Sequence, residues 1–288
     1  MRSGQLLALV LVSLVAAGCG AASDDTRRPA SDQATVDSGA GPTEAVEPGV
    51  ALQIDDPRID ESSGLARSRD HPGVLYTHND AGKGPDLYAV DPDGTRAVIT
   101  VEDAEALDWE DMASTRDGRL WIGDIGDREG VRSTISVSVV REPTPLTTTT
   151  VAATTYRFAY PDGAHDAEAL LVDPRRLRIY VVTKAPEGGG IYVARKQPLT
   201  DRANMLTRVG DAPPNVTGGD FAPAGGSFVL RNYDKAYFYP YLNASPVVIE
   251  LPEQEQGESI TFDSDDHVLV GSEGSGSLVL RLAVPTAP

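Results

Sequence analysis

From Val50 onward the apolar residues come in short runs broken by Gly, Asp, Pro and Ser. Five stretches repeat one order. An acidic or small residue precedes a short apolar strand, a turn follows, and a second apolar strand ends in polar residues. The first is Glu61-Ser62-Ser63-Gly64-Leu65-Ala66, then Val74-Leu75-Tyr76-Thr77-His78-Asn79-Asp80. The second is Trp109-Glu110-Asp111-Met112-Ala113, then Leu120-Trp121-Ile122-Gly123-Asp124. The third pairs Ala167-Glu168-Ala169-Leu170-Leu171-Val172 with Ile179-Tyr180-Val181-Val182-Thr183-Lys184. The fourth pairs Gly218-Gly219-Asp220-Phe221-Ala222 with Phe228-Val229-Leu230-Arg231-Asn232, and the fifth Gly257-Glu258-Ser259-Ile260-Thr261-Phe262 with His267-Val268-Leu269-Val270-Gly271-Ser272-Glu273. Nothing carries the 3.6-residue periodicity of a long amphipathic helix.

Successive units start roughly 40 to 60 residues apart, room for four short strands each. In the first unit the third strand is expected over residues 86–90 and the fourth over 96–101, with Asp91-Pro92-Asp93-Gly94 as a hairpin turn between them. Thr115-Arg116-Asp117-Gly118 and Asp263-Ser264-Asp265-Asp266 read as similar turns, and Gly188-Gly189-Gly190 as a hairpin tip. Short strands in such units predict an all-β chain, a five-bladed β-propeller. An irregular β-sandwich is the blander alternative. A sixth blade would need strands hidden between Arg141 and Tyr160. Residues 147–155 are β-prone but supply about one strand, read as an outer edge. The last unit lacks an outer strand, and Val50-Ala51-Leu52-Gln53-Ile54 lacks a partner. That segment is expected to complete the last blade and close the ring, which removes exposed sheet edges.

The first residues follow a different pattern. Arg2 gives a positive start, residues 6–17 are apolar apart from Ser13, and the run ends in Ala16-Ala17-Gly18-Cys19. A charged start, a short apolar stretch and small residues at the cut describe a secretory signal over 1–18, too short for a good membrane span. A cysteine directly after the cut resembles a lipobox, in which the thiol is acylated and becomes the new N-terminus. Cys19 is the one cysteine of the chain, so it forms no internal disulfide. A signal peptide with a chance cysteine is the simpler alternative. Residues 19–49 are rich in Ala, Ser, Asp, Thr, Gly and Pro and read as a lipidated flexible tether, with a reach of about 30 Å. The expected layout is a signal peptide over 1–18, this tether, and a propeller over 50–288 on the outer face of the cell membrane.

Charge narrows the partners. Lys plus Arg number 25 against 43 Asp plus Glu, a net charge of −18. Such a surface repels nucleic acid and anionic headgroups, so membrane contact falls to the lipid.

Glu61-Ser62-Ser63-Gly64-Leu65-Ala66 with Thr77-His78-Asn79-Asp80, and Asp108-Trp109-Glu110-Asp111-Met112-Ala113 with Gly123-Asp124-Ile125-Gly126-Asp127, resemble the strand motifs of a set of mostly uncharacterised bacterial lipoprotein propellers. The resemblance spans about residues 59–282. Members of that set often carry Asn where this chain has Arg128. More loosely the pattern is similar to phytase-like and gluconolactonase-like propellers, several of which hold calcium. A fold of this kind does not fix a reaction.

In a propeller the innermost strand of each blade lines the channel. Glu61, Glu110, Glu168 and Glu258 would approach one mouth, with Asn79, Asp80, Asp124 and Glu273 at the ends of the second strands. Sharing a face, they would offer the oxygen ligands that a hard cation such as Ca2+ takes. The alternative is that each acid accepts backbone N–H groups as a blade-to-blade clasp. Zinc is disfavoured, with no second thiol and no paired histidine spacing. For catalysis the candidates are His78, beside Asn79 and Asp80, and His165, before Asp166 and Glu168; each is also readable as a structural hydrogen-bonding residue. No Gly-x-Ser-x-Gly elbow or phosphate loop is present. The tyrosines at 233, 237, 239 and 241 and the tryptophans at 109 and 121 read as blade packing, with sugar or peptide stacking as the alternative. Two functions follow: a tethered, calcium-stabilised binding or scaffolding module for a protein or small molecule, or a calcium-dependent hydrolase of phosphoesters or lactones. An open pocket over unsaturated acids would favour the second.

Overall fold

The computed structural model describes residues 48–80 and 82–286. The signal segment, Cys19 and the tether through residue 47 lie outside them. Among the described residues the chain forms 22 strands and no helix. They make five small sheets in a ring, a five-bladed β-propeller.

β1 (Gly49–Ile54) waits for the last blade. Blade one is β2 (Ser62–Arg67), β3 (Leu75–Asn79), β4 (Asp86–Asp91) and β5 (Gly94–Glu102), from the channel outward. Blade two begins with β6 (Trp109–Thr115), β7 (Arg119–Asp124) and β8 (Ile135–Arg141). Then come β9 (Thr149–Ala152) and β10 (Thr154–Ala159). Blade three holds β11 (Ala167–Val172), β12 (Ile179–Thr183) and β13 (Gly190–Val193). The two-residue β14 (Asn204–Met205) edges blade two, and β15 (Thr207–Asp211) completes blade three. Blade four is β16 (Gly218–Phe221), β17 (Phe228–Arg231), β18 (Lys235–Tyr239) and β19 (Val247–Glu250). Blade five is β20 (Gly257–Ser264), β21 (His267–Ser272) and β22 (Ser277–Ala283), closed by β1.

The closure is as the unpartnered N-terminal strand predicts. β1 runs antiparallel to β22, with Val50 opposite Leu280 and Ile54 opposite Ser277. The region read as one edge strand is two, serving different blades. β9 pairs in parallel with the outer strand of blade one, Ile99 against Thr149, while β10 pairs antiparallel with β8 as the fourth strand of blade two. Only Ala153 separates them. With no Gly or Pro at the break, the sequence reads as a single run. Lending β9 backwards covers the edge of blade one and uses up the segment that a sixth blade would need.

Five hydrophobic clusters fill the five gaps between neighbouring blades. Tyr76, Leu87 and Ile99 of blade one meet Trp109, Met112 and Ile122 of blade two. Trp121, Val137 and Phe158 meet Leu170, Val181 and Tyr192 at the next gap. The other three gaps are packed in the same manner. Each such buried side chain contributes about 1.5–3 kcal/mol. Both tryptophans are therefore packing residues, and Tyr239 stacks on Phe228 at 4.7 Å. Gly64 permits the close approach of β2 to β6, because a Cβ there would collide with the backbone at Asp111 and Met112.

Candidate functional site: a carboxylate ring at one mouth

Strand register aligns the blades. Ser62 faces Asn79, Trp109 faces Asp124, Ala167 faces Thr183, Gly218 faces Arg231, and Gly257 faces Ser272. One residue beyond each inner partner stand Ser63, Glu110, Glu168, Gly219 and Glu258. One residue before it stand Glu61, Asp108, Asp166, Thr217 and Gln256. One residue beyond each second-strand partner stand Asp80, Ile125, Lys184, Asn232 and Glu273. Blades two, three and five carry glutamate at the first of these positions, and in each the pairing register shifts there. A bulge bends its strand and re-aims the side chain, here into the channel mouth. Blade four, with glycine there, pairs without a shift.

These positions line a cavity of about 490 Å³. Glu110, Glu168 and Glu258 come from the first row, Asp108, Asp166 and Gln256 from the second, and Asp80, Lys184 and Glu273 from the third; Arg128 and Tyr233 complete the wall. Seven carboxyl groups thus converge on one space. Carboxylate oxygens of Asp80, Asp108 and Glu110 lie within 4.8 Å of one another, as do those of Glu110, Asp166 and Glu168.

The electrostatics follow from burial. Burial, aided by the charges of Asp80 and Asp166, pushes Asp108 up to about 6. Burial and Glu168 push Glu258 up to about 8, and burial with Asp80 pushes Glu273 up to about 7. Glu110 is raised by burial and then by Glu168 and Asp80, and Glu168 by burial against the opposing pull of Lys184. Burial alone would lower Lys184, but Glu168 at 2.9 Å outweighs it and holds the ammonium charged. The Lys184 ammonium also lies 5.3 Å from the Tyr233 ring centre. Glu258 is 4% exposed and its Oε2 has no hydrogen-bond partner.

The site suits a hard divalent cation: all donors are oxygen, several are repelling carboxylates, and one buried oxygen is unsatisfied. Gly126 leaves room for them, since a Cβ there would collide with the carboxylates of Glu110 and Asp108.

Of the residues picked out from sequence, Asp80, Glu110, Glu168, Glu258 and Glu273 meet in this cavity. The structure does not bring Glu61, Asn79 or Asp124 into its wall. Register explains this. Glu61 is equivalent to Asp108, not to Glu110, and it pairs outside with Lys83 at 3.5 Å. Asn79 and Asp124 stand one residue short of the Asp80 position. Asn79 Oδ1 accepts the Glu61 N–H at 3.1 Å, Asp124 Oδ1 accepts the Asp108 N–H at 3.2 Å, and Ser272 Oγ accepts the Gln256 N–H at 3.0 Å. This is one structural bond repeated in three blades; Arg132 also binds Asp124 at 2.7 Å.

Clasps between blades exist, but other residues make them. Asp111 Oδ2 accepts the N–H of Leu170 in blade three at 2.9 Å and of Gly219 in blade four at 3.3 Å. Asp220 accepts the Phe262 N–H and the Thr261 hydroxyl, both at 2.9 Å. Ser63 donates to the Glu110 carbonyl at 2.6 Å.

The histidines stand away from the cavity wall. His78 is fully buried, with its ring edge-on to Trp109 at 5.4 Å and Nδ1 on the Asn79 carbonyl at 3.0 Å. Burial pushes it down to about 4, so it is neutral at physiological pH. His165 binds Asp162 at 3.1 Å and Tyr192 at 3.2 Å. Sequence reasoning missed Asp108, Asp166 and Lys184. The signal was present: Asp108 and Asp166 precede their strands at the offset of Glu61, and Lys184 ends its strand at the offset of Asp80.

No protein-family model matches the sequence, and neither does any curated protein. Solved propellers do match in shape. The PQQ-bound aldose sugar dehydrogenase of Streptomyces coelicolor is 10% identical, with a TM-score of 0.50 over 83% of this chain and 98% of that one. A glucose dehydrogenase is also 10% identical, with a TM-score of 0.50 over 83% of this chain and 100% of that one. A gluconolactonase of Xanthomonas campestris is 14% identical, with a TM-score of 0.46 over 83% and 98% of the two chains. At such identities the likeness shows the propeller fold alone.

Proposed function

We propose that this chain is an exported lipoprotein, anchored through Cys19 to the outer face of the cell membrane, whose propeller binds a divalent cation, calcium first, in the carboxylate ring and serves as a binding module. The observation that carries the cation reading is the convergence of seven carboxyl groups, from three aligned positions in the blades, on one cavity. The anchor rests on the charged start, the apolar run and the small residues before Cys19. The test is thermal unfolding of the chelated chain with and without calcium. At a hundred times the dissociation constant a bound ion stabilises by about 2.7 kcal/mol, a rise of about 5–10 °C for a domain of this size. No shift at millimolar calcium would sink the cation reading. Separately, Cys19→Ser should release the chain from membranes, and a variant that stays membrane-bound would refute the anchor.

The second reading, hydrolysis of phosphoesters or lactones, is supported by the partners of the cavity's carboxyl groups: Asp166 Oδ1 accepts the Asp127 N–H at 2.8 Å, while Glu168 and Glu258 meet the side chains of Lys184 and Gln256. A bound ion would supply Lewis acidity and polarise a substrate oxygen. Arg128 and Lys184 would orient an anionic group, and Asp108, pushed up to about 6, would take a proton from water. Calcium-dependent turnover of phosphoester and lactone substrates, lost in Asp108→Asn, is the expected result. A calcium-stabilised chain with no turnover leaves the binding module.

A further inference from the structure

We propose that the ring holds two divalent cations, bridged by the carboxylate of Glu110. The inference rests on the cation-binding reading and adds the number of ions and the shared ligand.

The two close-set carboxylate groups overlap at one residue. Asp80 and Asp108 stand with Glu110 in one, and Asp166 and Glu168 stand with Glu110 in the other. Register explains the overlap. Asp108 and Glu110 flank the inner partner Trp109 in blade two, and Asp166 and Glu168 flank its counterpart Ala167 in blade three. Each blade therefore presents a pair, and the bulge in blade two turns Glu110 towards its neighbour. A carboxylate has two oxygens and can serve one ion with each. Bridged hard cations sit about 3.5–4 Å apart, which suits groups whose oxygens lie within 4.8 Å.

An independent observation points to a cation in this cavity. Glu258 lines the same cavity beside Glu168, is 96% removed from solvent, and keeps Oε2 without any hydrogen-bond partner. A buried carboxylate oxygen left bare is costly, and a cation held in the same cavity would offset that cost. Its other oxygen accepts from Gln256 at 3.0 Å, so the group is held in place. Charge agrees. One divalent ion with Lys184 and Arg128 sets four positive charges against seven carboxyl groups in the wall, and two ions set six.

The test is ion counting on the full-length chain in detergent, chelated and then dialysed against radioactive calcium. Two ions per chain are expected. Asp80→Asn and Asp166→Asn should each leave one, and Glu110→Gln should weaken both binding steps at least tenfold. These substitutions remove charge from a repelling cluster, and circular dichroism checks that each variant keeps its strands. A single ion in the unaltered chain, or weakening of one step only in Glu110→Gln, overturns the bridged pair and leaves the cation reading standing. No bound ion overturns both.

Discussion

Asp111 should be the most sensitive polar residue in the ring. It is 1% exposed, and its carboxyl joins three blades. Oδ1 accepts the Met112 N–H at 2.8 Å, and Oδ2 accepts the N–H groups of Leu170 and Gly219. Asp111→Ala would leave the Leu170 and Gly219 amides buried without partners, at about 1–3 kcal/mol each. Against that stands the carboxyl's own burial, which raises its pKa well above the ordinary value and is relieved when the group is removed. A net loss of about 2–4 kcal/mol is expected, a fall of roughly 4–16 °C in Tm for a domain of this size. Asp111→Asn should also destabilise. The amide keeps one acceptor oxygen, and its NH2 must face an N–H that the carboxyl had satisfied. Urea unfolding measures the loss, and hydrogen exchange at Leu170 and Gly219 locates it. A loss below about 1 kcal/mol in Asp111→Ala, with those two amides still protected, would refute the view that this side chain ties the blades together.

Lys184→Met removes the ammonium on Glu168 and should lower the Tm of the chelated chain. The loss should fall below the ~3–5 kcal/mol of a broken buried pair, because Glu168 can take up a proton. Calcium should restore most of it, and equal losses with and without calcium would refute Lys184 as the counter-charge of the ring. The pH dependence has a definite sign. Asp108, Glu273 and Glu258 are raised to about 6, 7 and 8, above their unfolded values, so the folded, cation-free chain holds protons more tightly than the unfolded one. Its stability is greatest below the unfolded values and falls as pH rises from about 4 to about 8. Calcium requires the ionised carboxylates, so its affinity should rise over the same window. Unfolding curves from pH 5 to 9, with chelator and with calcium, check both slopes; parallel curves would refute the linkage.

Much of the fold was legible because a blade is a local object. Short apolar runs, Asp-Gly turns and the repeat length depend on neighbours in sequence, and so does the unpartnered segment that became β1. The paired edge strands β9 and β10 were not legible, since the choice of blade for each is settled by a partner some fifty residues away for β9 and by no turn residue at Ala153. The site divides in the same way. The run of acids around the inner strands fixed that carboxylates would gather at one mouth. Their roles depended on register. A displacement of one residue along a strand exchanges a channel-facing side chain for one bound to backbone. That is why Asp80 lines the cavity while Asn79 fastens the strand entry, and why Asp108 rather than Asp124 joins Glu110. Sequence determined which residues were available, and the bulges and ring closure of the tertiary structure decided which of them meet.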